Sequence, residues 1–288
     1  DFLRCLRKDG IEPSNCVVSQ ITSFQISSYC KWLDENYMPR TYNNNITNLR
    51  TAFNQIIDVQ EVLMRNPFKK VTAKQALTSD NTIITKDEFE KLIDGIGKVP
   101  SFTTYHGART ERKDNYRPYL KSAFTLCLKS GMRREEWSTL SFNDIKEGEN
   151  GKKLIIVNNL KVERITGKLF PPKVVPVNDE LQELLDESGY QEFKGTDRFI
   201  IAPDRKIQTS TLMDVCSKAF THYYKEIFGE ENFKQMKCLR KTYISRTYIV
   251  VGDKVKEYTS HTDMKTLVDY YLNKETTTTI INTNFWDE

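Results

Sequence analysis

Two arginines, a histidine and a tyrosine in the second half of this sequence are the residues best suited to chemistry. Arg133 follows a glycine, Arg240 lies about a hundred residues later, and His261 precedes Tyr270 by nine residues. An arginine guanidinium stays charged at any working pH and donates two parallel hydrogen bonds to a phosphate. A tyrosine hydroxyl forms a covalent ester when it attacks phosphorus. Together these side chains are the groups needed to hold a DNA phosphate and to attack it.

Cleavage of DNA by a phenol makes three demands on a protein. A nucleophile must reach phosphorus, negative charge on the non-bridging oxygens must be stabilised, and the leaving 5′-oxygen must receive a proton. Phosphoryl transfer depends mostly on positioning and on electrostatics. Because the pKa of a tyrosine is about 10, the nucleophile also needs a base or positive surroundings near neutral pH.

The elements that must position these residues follow from apolar spacing and turn residues. A helical stripe runs over 120–128 and is closed by Gly131, which is typical of a helix C-terminus. The partly β-branched runs at 154–157 and 173–177, with Thr166 and Gly167 between them, predict a β-hairpin. A second stripe over 212–227 predicts a long helix, whereas the polar and basic segment 100–117 reads as a loop that could lie on DNA.

The first part of the chain predicts a separate helical domain. A stripe over 41–58 indicates one helix, with Thr41 or Asn43 as its N-cap, and Asn66-Pro67 ends the next one. The polar segment 68–83 is interpreted as a linker, and a capping box from Thr85 to Glu88 opens the next helix. We therefore expect domains at 1–67 and 84–288, the second carrying a C-terminal tail. The fold class is mainly α with a small antiparallel β-sheet.

Composition bounds the function without deciding it. The 288 residues are 38% apolar and carry a net charge of +4, spread over both parts of the chain, which permits nucleic-acid binding without arguing for it. No apolar run approaches the ~20 residues of a membrane span. The six cysteines are scattered and the histidines number three, so we expect no metal site and no cofactor. The first residue is not Met, and we expect the chain to be part of a longer protein.

The segment from Gly131 to Ile145 resembles a motif of the tyrosine recombinases, the phage-integrase family, which reads G-[LM]-R-x-x-E-x-x-x-L-x-W-x-D-I. Arg133 and Glu136 fall on its arginine and its acid, and Phe142 stands where tryptophan is common. The run from Leu239 to Thr242 is similar to the end of the family's H-x-L-R-H-[TS] motif. The spacing from His261 to Tyr270 is also the family's. Together with the helical first part, the resemblance covers almost the whole chain.

The resemblance implies roles for individual residues. Tyr270 is the expected nucleophile, with Tyr271 as a competitor on spacing alone, and Arg133 and Arg240 are the arginines that clamp the phosphate. His261 assists them. Lys237 stands three residues before Arg240, where the family usually has histidine, and we expect it to donate to the phosphate. The family also places a proton-donating lysine in the hairpin, for which Lys168 is the first candidate and Lys161 the second.

The implied activity is site-specific DNA cleavage and rejoining through a 3′-phosphotyrosyl intermediate, without ATP or metal. The expected partners are double-stranded DNA and three further copies of the chain, with no membrane, in the cytoplasm of a bacterium, at the nucleoid. Integration or excision of a mobile element is the expected role. Two alternatives stay open: a DNA-binding accessory protein of the same fold without strand exchange, which Lys237 favours, and a type IB topoisomerase.

Overall fold

The computed structural model describes residues 1–62, 64–76, 82–106, 110–148, 151–160, 163–164, 167–232, 234–259, 267 and 271–272. The chain divides into two compact units, Asp1–Thr78 and Ser79–Glu288. Within the described ranges, none of the helices is long and apolar enough to serve as a transmembrane span.

The first unit is helical and packs around aromatic side chains. Its helices are α1 (Phe2–Lys8), α2 (Ser23–Asn36) and α3 (Pro39–Val59), with 3-10 turns at Pro13–Asn15 and Val18–Gln20. Phe2 contacts Tyr29, Phe53 and Phe68 edge-on, with ring centroids 5.1, 6.2 and 5.4 Å apart. Edge-to-face contacts of this kind stabilise a small core beyond the area that they bury.

The start of α3 differs from the prediction. We expected Thr41 or Asn43 to cap the helix, but it begins at Pro39, with Met38 as its N-cap. Proline suits the first helical position because its fixed φ is helical and the N–H that it lacks would have no partner there. Asn43 instead exchanges two hydrogen bonds with the backbone of Lys74, each 2.8 Å long.

The beginning of the predicted linker is attached to this first unit. Phe68 is fully buried in the aromatic core. The Arg50 side chain donates to the carbonyl oxygens of Phe68 (3.2 Å) and Val71 (2.8 Å), and Lys74 is held by Asn43. Residues 77–81 of the predicted linker lie outside the described part of the chain.

The second unit is mostly helical. The helices whose full extent is described are α4 (Lys86–Gly95), α5 (Leu120–Ser130), α6 (Arg134–Thr139), α7 (Asp179–Glu187), α8 (Tyr190–Phe193), α9 (Thr209–Phe228), α10 (Lys237–Val251) and α11 (Val255–Thr259). The predicted capping box at α4 is present: the Thr85 hydroxyl accepts from the backbone of Glu88, and the Glu88 carboxylate accepts from the backbone of Thr85. The predicted long helix is α9.

The strands of the second unit form small antiparallel sheets. One sheet has the order β3 (Ile145–Glu147), β4 (Lys153–Val157) and β5 (Lys173–Pro176), and the other pairs β1 (Phe102–His106) with β2 (Thr110–Asp114). In the β4–β5 hairpin, Ile155 lies opposite Val175 and Val157 lies opposite Lys173. The predicted hairpin and the predicted mainly helical fold class are therefore confirmed.

The segment 100–117, predicted as a loop, contains the β1–β2 hairpin. Residues 110–113 of β2 are exposed, so no apolar alternation marks the strand in the sequence. The pairing is supported by polar contacts instead: Asn115 donates to the Ser101 carbonyl oxygen (3.0 Å) and to the Thr103 hydroxyl (2.8 Å). His222 of α9 bonds the Pro100 carbonyl oxygen (2.8 Å) and the Thr103 hydroxyl (3.2 Å).

Candidate active site

Arg133 is positioned by the tight connection between α5 and α6. Helix α5 ends at Gly131, whose φ of +59° is left-handed, and Arg133 follows in extended conformation as the N-cap of α6. A side chain at Gly131 would be strained at this φ, and its Cβ would lie 2.1 Å from the Tyr243 ring of α10. Glycine is therefore needed both for the turn and for the close approach of α10.

Glu136 binds three donors in the interior of the unit. It is the third residue of α6 and is 3% exposed. Its Oε1 accepts from Arg133 Nη1 (2.8 Å), and its Oε2 accepts from the Arg133 backbone N–H (2.7 Å) and from Lys173 Nζ (2.5 Å). Burial alone would raise the pKa of this carboxyl, but the charges of Lys173 and Arg240 outweigh burial and lower the pKa to about 2.

Lys173 brings a third positive charge to this cluster. It opens β5, its side chain is 1% exposed, and Glu136 is its ion-pair partner. The pKa of Lys173 is lowered to about 8, mainly by burial; the charges of Arg240 and Arg133 add to the shift, and Glu136 opposes it. The sequence interpretation did not select this lysine. The signal that could have found it is strand alternation, because Lys173 shares the inward face of β5 with the buried Val175.

Arg240 lies beside this cluster, on α10. It is 7% exposed; Nη1 donates to the carbonyl oxygen of Gly131, and Nη2 donates to that of Thr259 (3.3 Å). Its Nε is buried and has no hydrogen-bond partner among the described residues. Burial lowers the pKa of this guanidinium, and the neighbouring charge of Arg133 lowers it further.

The charges of the cluster favour an anion. Arg133, Arg240 and Lys173 carry three positive charges and Glu136 carries one negative charge, so these four side chains sum to +2. Burying charge without compensation is costly, because the interior solvates it poorly. An anionic group bound against Arg133 and Arg240 would offset the excess.

The C-terminal segment reaches this cluster at Tyr271. Its backbone N–H donates to the Leu267 carbonyl oxygen (2.9 Å), and its own carbonyl oxygen accepts from the Ser245 hydroxyl (3.1 Å). The Arg240 guanidinium lies 5.5 Å from the centroid of the Tyr271 ring. The predicted site residues His261 and Tyr270 lie outside the described residues, as does Lys161.

The two predicted lysines that the structure describes are both on the surface. Lys168 is exposed, after the left-handed Gly167 in the segment before β5, whereas Lys173 is the hairpin lysine that contacts Glu136. Lys237 is exposed as the first residue of α10, one turn before Arg240. It lines a cleft between the β1–β2 hairpin, α9 and the start of α10, together with basic residues that include Arg134. The other basic residues of the cleft are Lys218, His222 and Lys225.

In the described part of the chain, histidine, cysteine, aspartate and glutamate side chains nowhere gather in a group of three or more that could hold a metal ion. The six cysteines are free thiols. The guanidinium and ammonium groups of Arg133, Arg240 and Lys173 suit the described site to anion binding, and a tyrosine-bearing segment lies next to Arg240.

Comparison with known proteins identifies the fold. No protein-family model and no curated protein matches the sequence. Solved structures do match. A lambda integrase tetramer bound to a Holliday junction is 16% identical at a TM-score of 0.62, covering 91% of this chain and 69% of that one. The Tn1549 transposon integrase with transposon right-end DNA is 18% identical (TM-score 0.62, 93% and 86% covered), and the XerH recombinase on difH DNA is 16% identical (TM-score 0.61, 96% and 76% covered). The chain has the tyrosine-recombinase fold.

Proposed function

We propose that this protein cleaves and rejoins DNA at a specific site through a covalent bond between Tyr270 and the 3′ phosphate. The observation that carries the proposal is the buried positive cluster of Arg133, Arg240, Lys173 and Glu136, with the chain segment at Tyr271 against Arg240. The recombinase fold supports it, because the similar structures include integrases and a recombinase bound to DNA.

In the proposed reaction the Tyr270 hydroxyl attacks the scissile phosphorus and releases its proton to solvent. A bond forms between the phenolic oxygen and phosphorus, and the bond from phosphorus to the 5′-oxygen breaks. Arg133 and Arg240 stabilise the charge on the non-bridging oxygens, with His261 and Lys237 as further donors. Lys168, or Lys161 in its place, protonates the leaving 5′-oxygen. A 5′-hydroxyl of the partner strand then attacks the phosphotyrosyl bond, so the energy of the original bond is kept.

The proposal extends to partners and context. One of the similar structures is a tetramer on a Holliday junction, and we propose that four copies of this chain exchange strands between two DNA sites. Integration or excision of a bacterial mobile element is the proposed role.

The experiment is to incubate the protein with a duplex that carries its site and a nick next to the scissile phosphate. The short 5′-hydroxyl strand diffuses away after cleavage, so the covalent complex accumulates and is seen on a denaturing gel. We expect an adduct with the wild-type protein and with Tyr271→Phe, and none with Tyr270→Phe. Loss of the adduct in Tyr271→Phe alone would transfer the nucleophile to that residue.

A DNA-binding accessory protein of the same fold is the second candidate, favoured by one observation. Lys237 stands where the resembled family has histidine, and it is an exposed side chain at the start of α10. Under this alternative, the wild-type protein retards the site duplex specifically but forms no adduct at any pH. Sequence-specific retardation together with a Tyr270-dependent adduct rejects it.

A further inference from the structure

Lys173, the buried lysine of β5, belongs to the positive cluster but carries out no step of the proposed reaction. Its ammonium is bonded to Glu136 and its side chain is 1% exposed, so it does not present a proton to a leaving group in solvent. Burying a lysine is costly unless the ammonium is paired. The charges of two nearby arginines add to this cost, so packing alone does not explain a lysine at this position.

Glu136 explains why a cation is needed at this place. Its carboxylate orients Arg133 by accepting from both the backbone and the side chain of that residue. The same negative charge would offset the charge of Arg133 and weaken its hold on a phosphate. Without Lys173, the four-residue cluster would carry +1 instead of +2.

We propose that Lys173 is a positioning residue, which neutralises Glu136 so that this carboxylate orients Arg133 without cancelling its charge toward the scissile phosphate. The inference rests on the proposed function, because it concerns the charge that the transition state meets. It is a role separate from the proton donor, for which Lys168 and Lys161 remain the candidates.

The surroundings of Lys173 define its pH dependence. The described titratable groups that face it are Glu136 of α6, Arg133 before that helix, Arg240 of α10 and the Cys127 thiol of α5. Burial raises the pKa of Cys127 to about 12, so the thiol is neutral. The pKa of Lys173 is lowered to about 8, mainly by burial, so its ammonium loses its proton as the pH rises through about 8. The net charge of the cluster then falls to +1, and DNA cleavage should become slower.

The test measures single-turnover cleavage of the nicked duplex together with affinity for the intact duplex. Replacing Lys173 by methionine, which fills a similar volume, should slow cleavage by roughly 10- to 100-fold, as expected for a group that acts through another. Affinity should fall less than about threefold, since many phosphate contacts contribute to it. The double variant Glu136→Gln/Lys173→Met should cleave faster than Lys173→Met, because it removes both buried charges.

A charge-conserving variant separates this role from packing. Lys173→Arg stays charged at alkaline pH, so its cleavage rate relative to wild type should rise between pH 7 and pH 9.5. Circular dichroism of each variant establishes that it is folded. Equal cleavage by folded Lys173→Met and wild type, or a constant ratio for Lys173→Arg across this pH range, overturns the inference. Absence of an adduct with the wild-type protein instead overturns the proposed function, so the two failures are distinct.

Discussion

Two helix N-termini of the second unit share a hydrogen-bonding arrangement but have different N-cap residues, Thr85 and Arg133. At α4 and at α6, a glutamate in the third helical position accepts from the backbone N–H of its own N-cap, 2.7 Å away in both cases. Each glutamate also binds a lysine from a distant segment, Lys234 for Glu88 and Lys173 for Glu136. The glutamates thus satisfy a backbone donor and a buried or half-buried cation at once.

The N-cap residues differ in what they give to the helix. Thr85 caps α4 with its hydroxyl, which accepts from the Glu88 backbone N–H (3.2 Å). Arg133 stands at the same position before α6, and a guanidinium has no acceptor with which to cap a helix. The structure therefore has an ordinary stabilising cap at α4, and at α6 a residue that contributes no cap but carries a charge toward Arg240. A local departure from the best helix-forming choice is expected where a residue serves function.

The largest effect is expected when α6 is given the cap that it lacks, which tests whether Arg133 serves the substrate or the helix. Arg133→Ser should reduce adduct formation on the nicked duplex by roughly 10³-fold, the scale of losing a phosphate-binding arginine. The free energy of unfolding should stay the same or rise by about 1 kcal/mol, because serine caps the helix and the repulsion from Arg240 disappears. Urea unfolding and the adduct assay measure the two effects. A fall of several kcal/mol in stability would mean that Arg133 holds the fold rather than the substrate.

The ion pairs of the two glutamates differ in burial, and this difference should appear in stability. Glu136→Gln leaves Lys173 unpaired in the interior and should lower the free energy of unfolding at pH 7 by about 3 kcal/mol. The matched variant Glu88→Gln should cost about 1 kcal/mol, since its pair with Lys234 is partly exposed and water screens it. Urea unfolding of both variants checks the order. Equal losses would show that burial does not distinguish the two sites.

The lowered pKa of Glu136 predicts that its contribution to stability depends on pH. The pKa of Glu136 is lowered to about 2, so the carboxylate contributes stability that is fully present above its unfolded pKa of about 4.3. That stability is lost as the pH falls from about 4.3 through about 2. The stability difference between wild type and Glu136→Gln should therefore shrink over this range, measured by urea unfolding at several pH values. A difference that stays constant down to pH 2.5 contradicts the assignment.

How far the sequence could predict this site depends on the residue. Arg133 and Arg240 were selected by motif, and the structure places both at one cluster with Glu136. Lys173 was not selected, because the resemblance pointed to Lys168 and Lys161 as the lysines of the hairpin. Which face of β5 turns inward is decided by packing in three dimensions, and Lys173 is buried because it shares the face of Val175.

The fold was also predictable only in part from the sequence. Helices with regular apolar spacing, such as α5 and α9, were predicted because burial of one face leaves a periodic pattern. The β1–β2 hairpin was missed because residues 110–113 of β2 are exposed and because His222, which supports the hairpin, lies more than a hundred residues away in the sequence. Periodicity reports burial, so an element that buries little leaves no pattern to read.

The smallest expected effect tests the ordinary cap. Thr85→Ala removes the hydroxyl that accepts from Glu88 and should lower the free energy of unfolding by about 1 kcal/mol. Adduct formation should be unchanged, because the Thr85 hydroxyl and backbone N–H bond to Glu88 and not to the four charged residues of the cluster. Thr85→Ser, which keeps a capping hydroxyl, is the matched control and should be close to wild type in both assays. If Thr85→Ala slowed cleavage while Thr85→Ser did not, the α4 cap would also serve the reaction, and the contrast with Arg133 would be one of degree.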